Sequence, residues 1–190
     1  MDDHAVLDLG AGLAVVAVWA HSGAAADLVR ELKYGRATTV VTELAEAMVA
    51  VAPSADLVSW VPASPARRRQ RGFDQGELLA RAVARRLGMP VRRALRRVDD
   101  EPQTSRGREG RLLGPRFGAA GRRMRFGPTV LLIDDVVTTG STLRAAAAVL
   151  RDHGAGQVRG LAATHAVASP VSADAPAAVY HLATTRPTGG

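Results

Sequence analysis

Residues 129–150 read TVLLIDDVVTTGSTLRAAAAVL, and no other stretch of the chain restricts the fold so tightly. A run of β-branched and apolar residues, short enough for one buried strand, enters two adjacent acids, Asp134 and Asp135. Small hydroxyl residues around Gly140 follow, and helical periodicity then covers about 142–153 and stops at Gly154. A further apolar run at 157–163 reads as the next strand. Strand, loop, helix and strand in this order make a βαβ unit, and such a unit demands a parallel pair in an α/β sheet.

Ligands of open α/β sheets bind beyond the carboxyl ends of the strands. Two neighbouring carboxylates at such an end repel each other and desolvate badly without a partner. A sugar diol or a divalent cation would satisfy them. The loop Thr138-Thr139-Gly140-Ser141-Thr142 leads into a helix N-terminus, whose backbone N–H groups suit an anion. Its hydroxyls add donors, and Gly140 permits close backbone approach. A diol-and-metal site beside a phosphate site on one loop describes a binder of ribose 5-phosphate. The plainer alternative is a surface acid pair followed by a Ser/Thr helix cap; the whole pattern, with strand, loop and helix in place, favours the ligand site.

The remainder of the chain supplies the other layers. A strand is expected at 13–20 and helices at 24–34 and 38–51, the first stopped by Gly35 and the second by Pro53. Residues 56–62 read as a strand closed by Pro62. Helix 74–88 carries Leu78, Leu79, Ala82, Val83 and Leu87 on one face and ends at Gly88. A short extended piece spans 90–98. Residues 99–127 are polar, rich in Gly and Arg and aperiodic, as expected of a mobile lid. The last residues, at least beyond 184, read as tail. With 190 residues and 4% aromatics, one domain is expected, its core filled by Val, Leu and Ala.

The chain has no Cys, which excludes disulfides, thiolate zinc sites and a cysteine nucleophile. Its five His residues show no metal spacing. The N-terminal apolar stretch follows two acids and is broken by Asp8, Gly10, Gly12 and Gly23, so neither a signal peptide nor a membrane insertion is expected, and a cytoplasmic location is. Gly10-Ala11-Gly12 lacks the third glycine of a dinucleotide fingerprint. Trp19, Tyr34 and Trp60 are scattered and read as core before stacking groups. The net charge of +7 is uneven: residues 67–125 hold 18 of the 25 basic residues and 6 of the 18 acids. All the basic residues except Lys33 are Arg, whose planar fork suits phosphate oxygens. Part of this is a solvated surface; the rest points to a polyanionic ligand.

The stretch 129–142 closely resembles the phosphoribosyl pyrophosphate (PRPP) motif of type I phosphoribosyltransferases. With ELKYGR at 31–36 and VPASPARRRQRGFDQGELLARAVARRLGMPV at 61–91, the chain is similar to the ComF/GntX family. Asp74 stands where that family's Arg-Gly-Phe-Asn-Gln signature has Asn, and Gly114 where Asn is usual. Many members carry a Cys-rich zinc module, which this chain lacks the Cys to build.

The resemblance implies a type I phosphoribosyltransferase fold, a mostly parallel sheet flanked by helices. It implies an N-terminal hood over 1–37, a core domain over 38–166 and a partly flexible C-terminal segment over 167–190. Asp134 and Asp135 would be the catalytic acids, on the ribose hydroxyls and near Mg²⁺. Thr138, Thr139, Gly140, Ser141 and Thr142 would hold the 5-phosphate. Ala63 and Ser64, with Arg67, Arg69 and Arg71, would hold the pyrophosphate. Gln103 and Arg111 would belong to a lid over 99–118 that excludes water. The implied partners are PRPP and a nitrogen nucleophile that nothing in the chain identifies; a homodimer is compatible with the family. A second reading is a non-catalytic competence protein whose Arg-rich face, at 67–71 and 92–97, binds single-stranded DNA or competence partners, with PRPP regulatory or absent.

Overall fold

The computed structural model describes residues 4–34, 38–98, 115–166 and 180–181. The chain runs β1 (Ala5–Asp8), β2 (Ala14–Ala20), α1 (Gly23–Tyr34), α2 (Thr38–Ala50), β3 (Leu57–Trp60), α3 (Pro65–Arg71), α4 (Gln75–Leu87), β4 (Leu95–Arg97), β5 (Phe117–Ala119), β6 (Thr129–Val137), α5 (Ser141–Asp152), β7 (Gln157–His165) and β8 (Tyr180–His181).

Six strands form one sheet in the order β3-β6-β7-β2-β1-β8. The pairs β3–β6, β6–β7 and β2–β7 are parallel; β1 pairs antiparallel with both β2 and β8. The four parallel strands are the α/β core that the βαβ pattern demands, and β6, which carries the acids, lies inside it. Neighbours on both sides bury β6 on two faces, which explains its unbroken apolar start. Alternate residues divide between two cores. Val130 and Leu132 pack with Leu143, Ala146, Ala147 and Leu150 of α5. Leu131 and Ile133 pack with Val29 and Leu32 of α1, Leu44 and Met48 of α2, and Leu79 and Val83 of α4. Three helices thus cover one face, and α5 with the β4–β5 ribbon covers the other.

Local chemistry fixes the ends of these elements. Asp74 caps α4 by accepting from the Gly76 and Glu77 amides, and Gly88 closes it in the left-handed conformation. Gly10, Ala11 and Gly12 all have positive φ and turn β1 into β2, so this Gly-Ala-Gly is a hairpin and not a nucleotide loop. Trp60 is core, whereas Tyr34 is 72% exposed.

The eight elements given bounds in the sequence, β2, α1, α2, β3, α4, β6, α5 and β7, lie within three residues of them. Four short features differ from the sequence reading. β1 and β8 add an antiparallel edge, so the N-terminal residues supply two strands of the main sheet and one residue pair from the C-terminal segment joins them. The basic run after Ser64, which the sequence reading assigned to no element, is a helix, α3. Residues 115–127 are not part of an aperiodic lid: β5 pairs with β4, Met124 is buried, and its amide donates to the His153 carbonyl at 2.9 Å. A glycine- and arginine-rich run hides such pairing because its ribbon is only three residues long. Residues 99–114 lie outside the described residues. No helix among the described residues is long and apolar enough to cross a membrane.

Candidate active site

The acids emerge from an interior strand of the sheet, with β3 on one side and β7 on the other. β6 continues through them to Val137, so they sit on the strand's last turn of pleat and not beyond it. The Asp135 amide donates to Asp134 Oδ1 at 2.9 Å. Burial pushes the Asp134 carboxyl well above the usual carboxylate range, and the charge of Asp135 raises it further. That amide and the Lys33 ammonium act in the opposite direction. Lys33 Nζ, from the last turn of α1, lies 3.1 Å from Asp135 Oδ2. The two acids are therefore an electrostatically loaded pair, one pressed towards its neutral form and one held by a cation.

The hydroxyl loop follows at once. Thr138, Thr139 and Ser141 are exposed, Thr142 is half-buried and Gly140 is buried. The Thr139 hydroxyl donates to Ser141 Oγ at 3.0 Å. Gly140 occupies the N-cap of α5 with φ 72° and brings no capping side chain of its own. Thr139 Oγ1 accepts from the Ser141 amide, the first of the helix, at 3.4 Å. The next N–H groups of the first turn, which Gly140 does not cap, are the kind of donors that receive an anion. A Cβ on Gly140 would come within 2.6 Å of Leu9 Cδ1, so the β1–β2 hairpin lies directly against the loop.

The second loop leaves β3, the neighbour of β6. Trp60 pairs with Ile133, and the Val61 amide donates to the Ile133 carbonyl at 3.0 Å. Residues 61–64 thus start beside the acid pair. Ser64 caps α3, its hydroxyl accepting from the Arg67 amide at 3.3 Å. Asp74 reaches back under this loop and accepts from the Ala63 amide at 3.1 Å while capping α4. Gly76 is required there, since a Cβ would approach the Val61 carbonyl to 2.8 Å.

The arginines divide. Arg67 and Arg69 are exposed on α3. Arg71 is half-buried, its guanidinium stacked over the Tyr34 ring at 5.4 Å. Its Nε and Nη1 are shielded from water and have no acceptor among the described residues. A buried guanidinium without an acceptor is costly, and an anion would satisfy it. Lys33 and Tyr34 are consecutive, so one turn of α1 touches both the acid pair and Arg71. The structure brings together Asp134, Asp135, residues 138–142, the 61–64 loop and Arg71; Arg67 and Arg69 stand on the adjoining surface. Gln103 and Arg111 lie outside the described residues.

Sequence reasoning passed over two participants. Asp74 carried a signal: Asp-Gln-Gly-Glu before an apolar periodicity is a capping pattern. Lys33 carried another, as the single lysine among arginines.

A second basic feature lies elsewhere. Arg92, Arg122, Arg123 and Arg125 line a shallow hollow of about 840 Å³. Arg92 donates to the Arg122 carbonyl and Arg123 to that of Asp152, at the C-terminal end of α5. Twelve helical residues separate this end from the hydroxyl loop, about 18 Å at 1.5 Å per residue. Phe126 is 98% exposed, has φ 66° and lies under the Arg125 guanidinium.

Comparison with known proteins agrees with this architecture. Residues 74–179 match the family described as phosphoribosyl transferase domain. Over 94 residues, half of this chain, the sequence is 35% identical to competence protein ComFC of Bacillus subtilis; the match spans 38% of that protein, so the chain accounts for well under half of its relative's length. Among solved structures, one titled as the allosteric regulatory enzyme of purine biosynthesis superposes with a TM-score of 0.50 at 23% identity, over 70% of this chain and 30% of that one. Glutamine PRPP amidotransferase from B. subtilis gives 0.50 at 21% identity with the same coverage. At these identities the two structures speak for the fold. The chain belongs to the phosphoribosyl transferase domain family, and its sequence resembles the ComF type within it.

Proposed function

We propose that this protein binds PRPP with Mg²⁺ at the carboxyl edge of its sheet and transfers the 5-phosphoribosyl group to a nitrogen nucleophile. The observation that carries this reading is the N-terminus of α5, which opens at Gly140, a cap residue without a side chain, three residues beyond the end of the acid pair's strand. The 5-phosphate sits on the backbone N–H groups and hydroxyls of residues 138–142. Asp134 and Asp135 accept hydrogen bonds from the ribose hydroxyls, which return to the carboxylates the donors that burial removed. The diphosphate lies against Ala63 and Ser64, with Arg71 as its closest guanidinium and Arg67 and Arg69 on the flank.

Among the described residues no group of three His, Cys, Asp or Glu side chains is placed to hold a metal ion. Within those residues a cation would meet the acid pair, which fits Mg²⁺, an ion that keeps several of its waters. Bound there, the ion would neutralise charge on the leaving diphosphate. In the reaction the bond from C1 to the diphosphate oxygen breaks, C1 bonds to nitrogen, and the nitrogen loses its proton. The chain's part is to fix the ribose at both ends and to stabilise the departing oxygens. Gln103 and Arg111 belong to the segment that would close over the site and exclude water.

Isothermal titration tests the reading. Parent protein should bind PRPP only with Mg²⁺ present and ribose 5-phosphate more weakly. Absence of PRPP binding under both conditions would remove the reading.

A second reading is favoured by the four-arginine hollow with its exposed Phe126. Guanidinium groups for phosphates beside a bare ring for a base are the parts of a single-strand binding surface. In this reading the protein is a competence component that holds single-stranded DNA, with PRPP regulatory. The two sites are far enough apart to coexist. A salt series of oligonucleotide binding decides it: affinity that ignores salt would exclude the phosphate contacts.

A further inference from the structure

Of 25 basic residues, 24 are Arg, and the one Lys is the cation that pairs with the acids of the phosphoribosyl loop. Lys33 Nζ lies 3.1 Å from Asp135 Oδ2, with side-chain exposures of 26% and 12%. An ammonium carries three donors. Asp135 Oδ2 meets it as an ion pair and has no hydrogen-bond partner among the described residues, and the lysine side chain keeps partial exposure. The next residue, Tyr34, lies under the Arg71 guanidinium, the group beside the diphosphate loop whose Nε and Nη1 have no acceptor among the described residues. The last turn of α1 therefore spans from the acid pair to the arginine.

Charge explains why a cation belongs between them. A diphosphate placed next to two carboxylates is repelled unless a positive group stands between. A planar fork with five fixed donors is awkward in a gap with one acceptor on the protein side and a mobile ligand on the other. A compact, rotatable ammonium on a flexible stem fits both.

We propose that Lys33 is a ligand-contacting residue of this site: its ammonium holds Asp135 in the free protein and donates to a diphosphate oxygen when PRPP is bound. The proposal rests on the PRPP reading given above. It makes α1, a helix outside both ligand loops, part of the site, and it gives the acid pair a cation that remains when no ligand is present. The competing role is a structural strut that merely ties α1 to β6.

The chain's composition supplies the test. Lys33 and the α-amine are the only amines for a methylating reagent to find, and the α-amine serves as internal reference. With formaldehyde and borohydride, followed by mass spectrometry, saturating PRPP and Mg²⁺ should slow dimethylation of Lys33 at least tenfold relative to the α-amine. An unchanged or faster rate, in protein that calorimetry shows to be PRPP-loaded, overturns the proposal while leaving the PRPP reading intact. Parent protein that binds no PRPP sinks both. Lys33→Met should weaken PRPP at least tenfold and ribose 5-phosphate less than twofold, because only the former carries the diphosphate; Lys33→Arg should recover part of the loss. Equal weakening of both ligands, or none, identifies a strut and overturns the ligand contact.

Discussion

Asp74 accepts three backbone hydrogen bonds, from Ala63, Gly76 and Glu77, in a corner nearly closed to water. Burial raises its carboxyl above the ordinary value of 3.8; the amides oppose the shift and the charge of Glu77 adds to it. The folded protein thus holds a proton here more tightly than the unfolded chain. Such a group contributes stability in full below the unfolded value, and the contribution is lost as pH rises through the folded value. Asp74→Asn cannot titrate, and its NH₂ accepts nothing, whereas the second oxygen of the acid keeps acceptor capacity whether or not it carries the proton. The variant should be less stable than the parent at pH 4 by about 1–2 kcal/mol, and the gap should narrow as pH approaches 7. Urea midpoints over that range check it, and a gap that widens with pH would contradict the assignment. The RGFDQ signature made this residue visible in the sequence. That its second oxygen holds Ala63, eleven residues back, was not visible, because that contact exists only once β3 and α4 are packed.

The loop between β6 and α5 illustrates what periodicity reveals at the scale of an element and what it conceals. The pattern from Thr129 onward gave strand, loop and helix nearly to the residue. It did not say which residue takes the cap position, since Ser and Thr are good caps wherever they stand near an N-terminus. Gly140 decides the matter by taking the cap position with φ 72° against Leu9. Gly140→Ala should cost about 1–2 kcal/mol from the left-handed backbone alone, and it should weaken PRPP at least tenfold by turning the N–H groups. Adding Leu9→Ala should restore the stability lost to crowding but not the affinity. Paired urea and titration measurements separate the two; recovery of affinity in the double variant would place the binding defect in the crowding. The short elements β1, α3, β5 and β8 escaped the sequence reading for a different reason. Runs of two to seven residues carry too few periods to register, and their pairing is decided by partners distant in the chain.

At the scale of the molecule, seven arginines of the basic window lie on two separate surfaces among the described residues. Along the chain they looked like part of one arginine window from 67 to 125. Folding sends Arg67, Arg69 and Arg71 to the carboxyl edge of the sheet and Arg92, Arg122, Arg123 and Arg125 to the far end of α5. Any single-strand DNA bound through the hollow should show a salt slope of about −0.7 per phosphate contact. Arg122→Glu with Arg125→Glu should lower DNA affinity and leave PRPP affinity within twofold, and saturating PRPP should not displace DNA. Equal loss of both ligands would mean a single shared surface.

The central claim is that the acids at the end of β6 hold the ribose of PRPP. Asp134→Asn with Asp135→Asn removes their charge and keeps their shape, and the fold should survive, because Asp134 is already pressed towards its neutral form in the free protein. Calorimetric titration of the double variant with PRPP and Mg²⁺, beside the parent and with thermal unfolding as control, is the most direct measurement. The account predicts binding in the parent and at least a hundredfold weaker binding in a folded variant. Binding as tight as the parent's would contradict it.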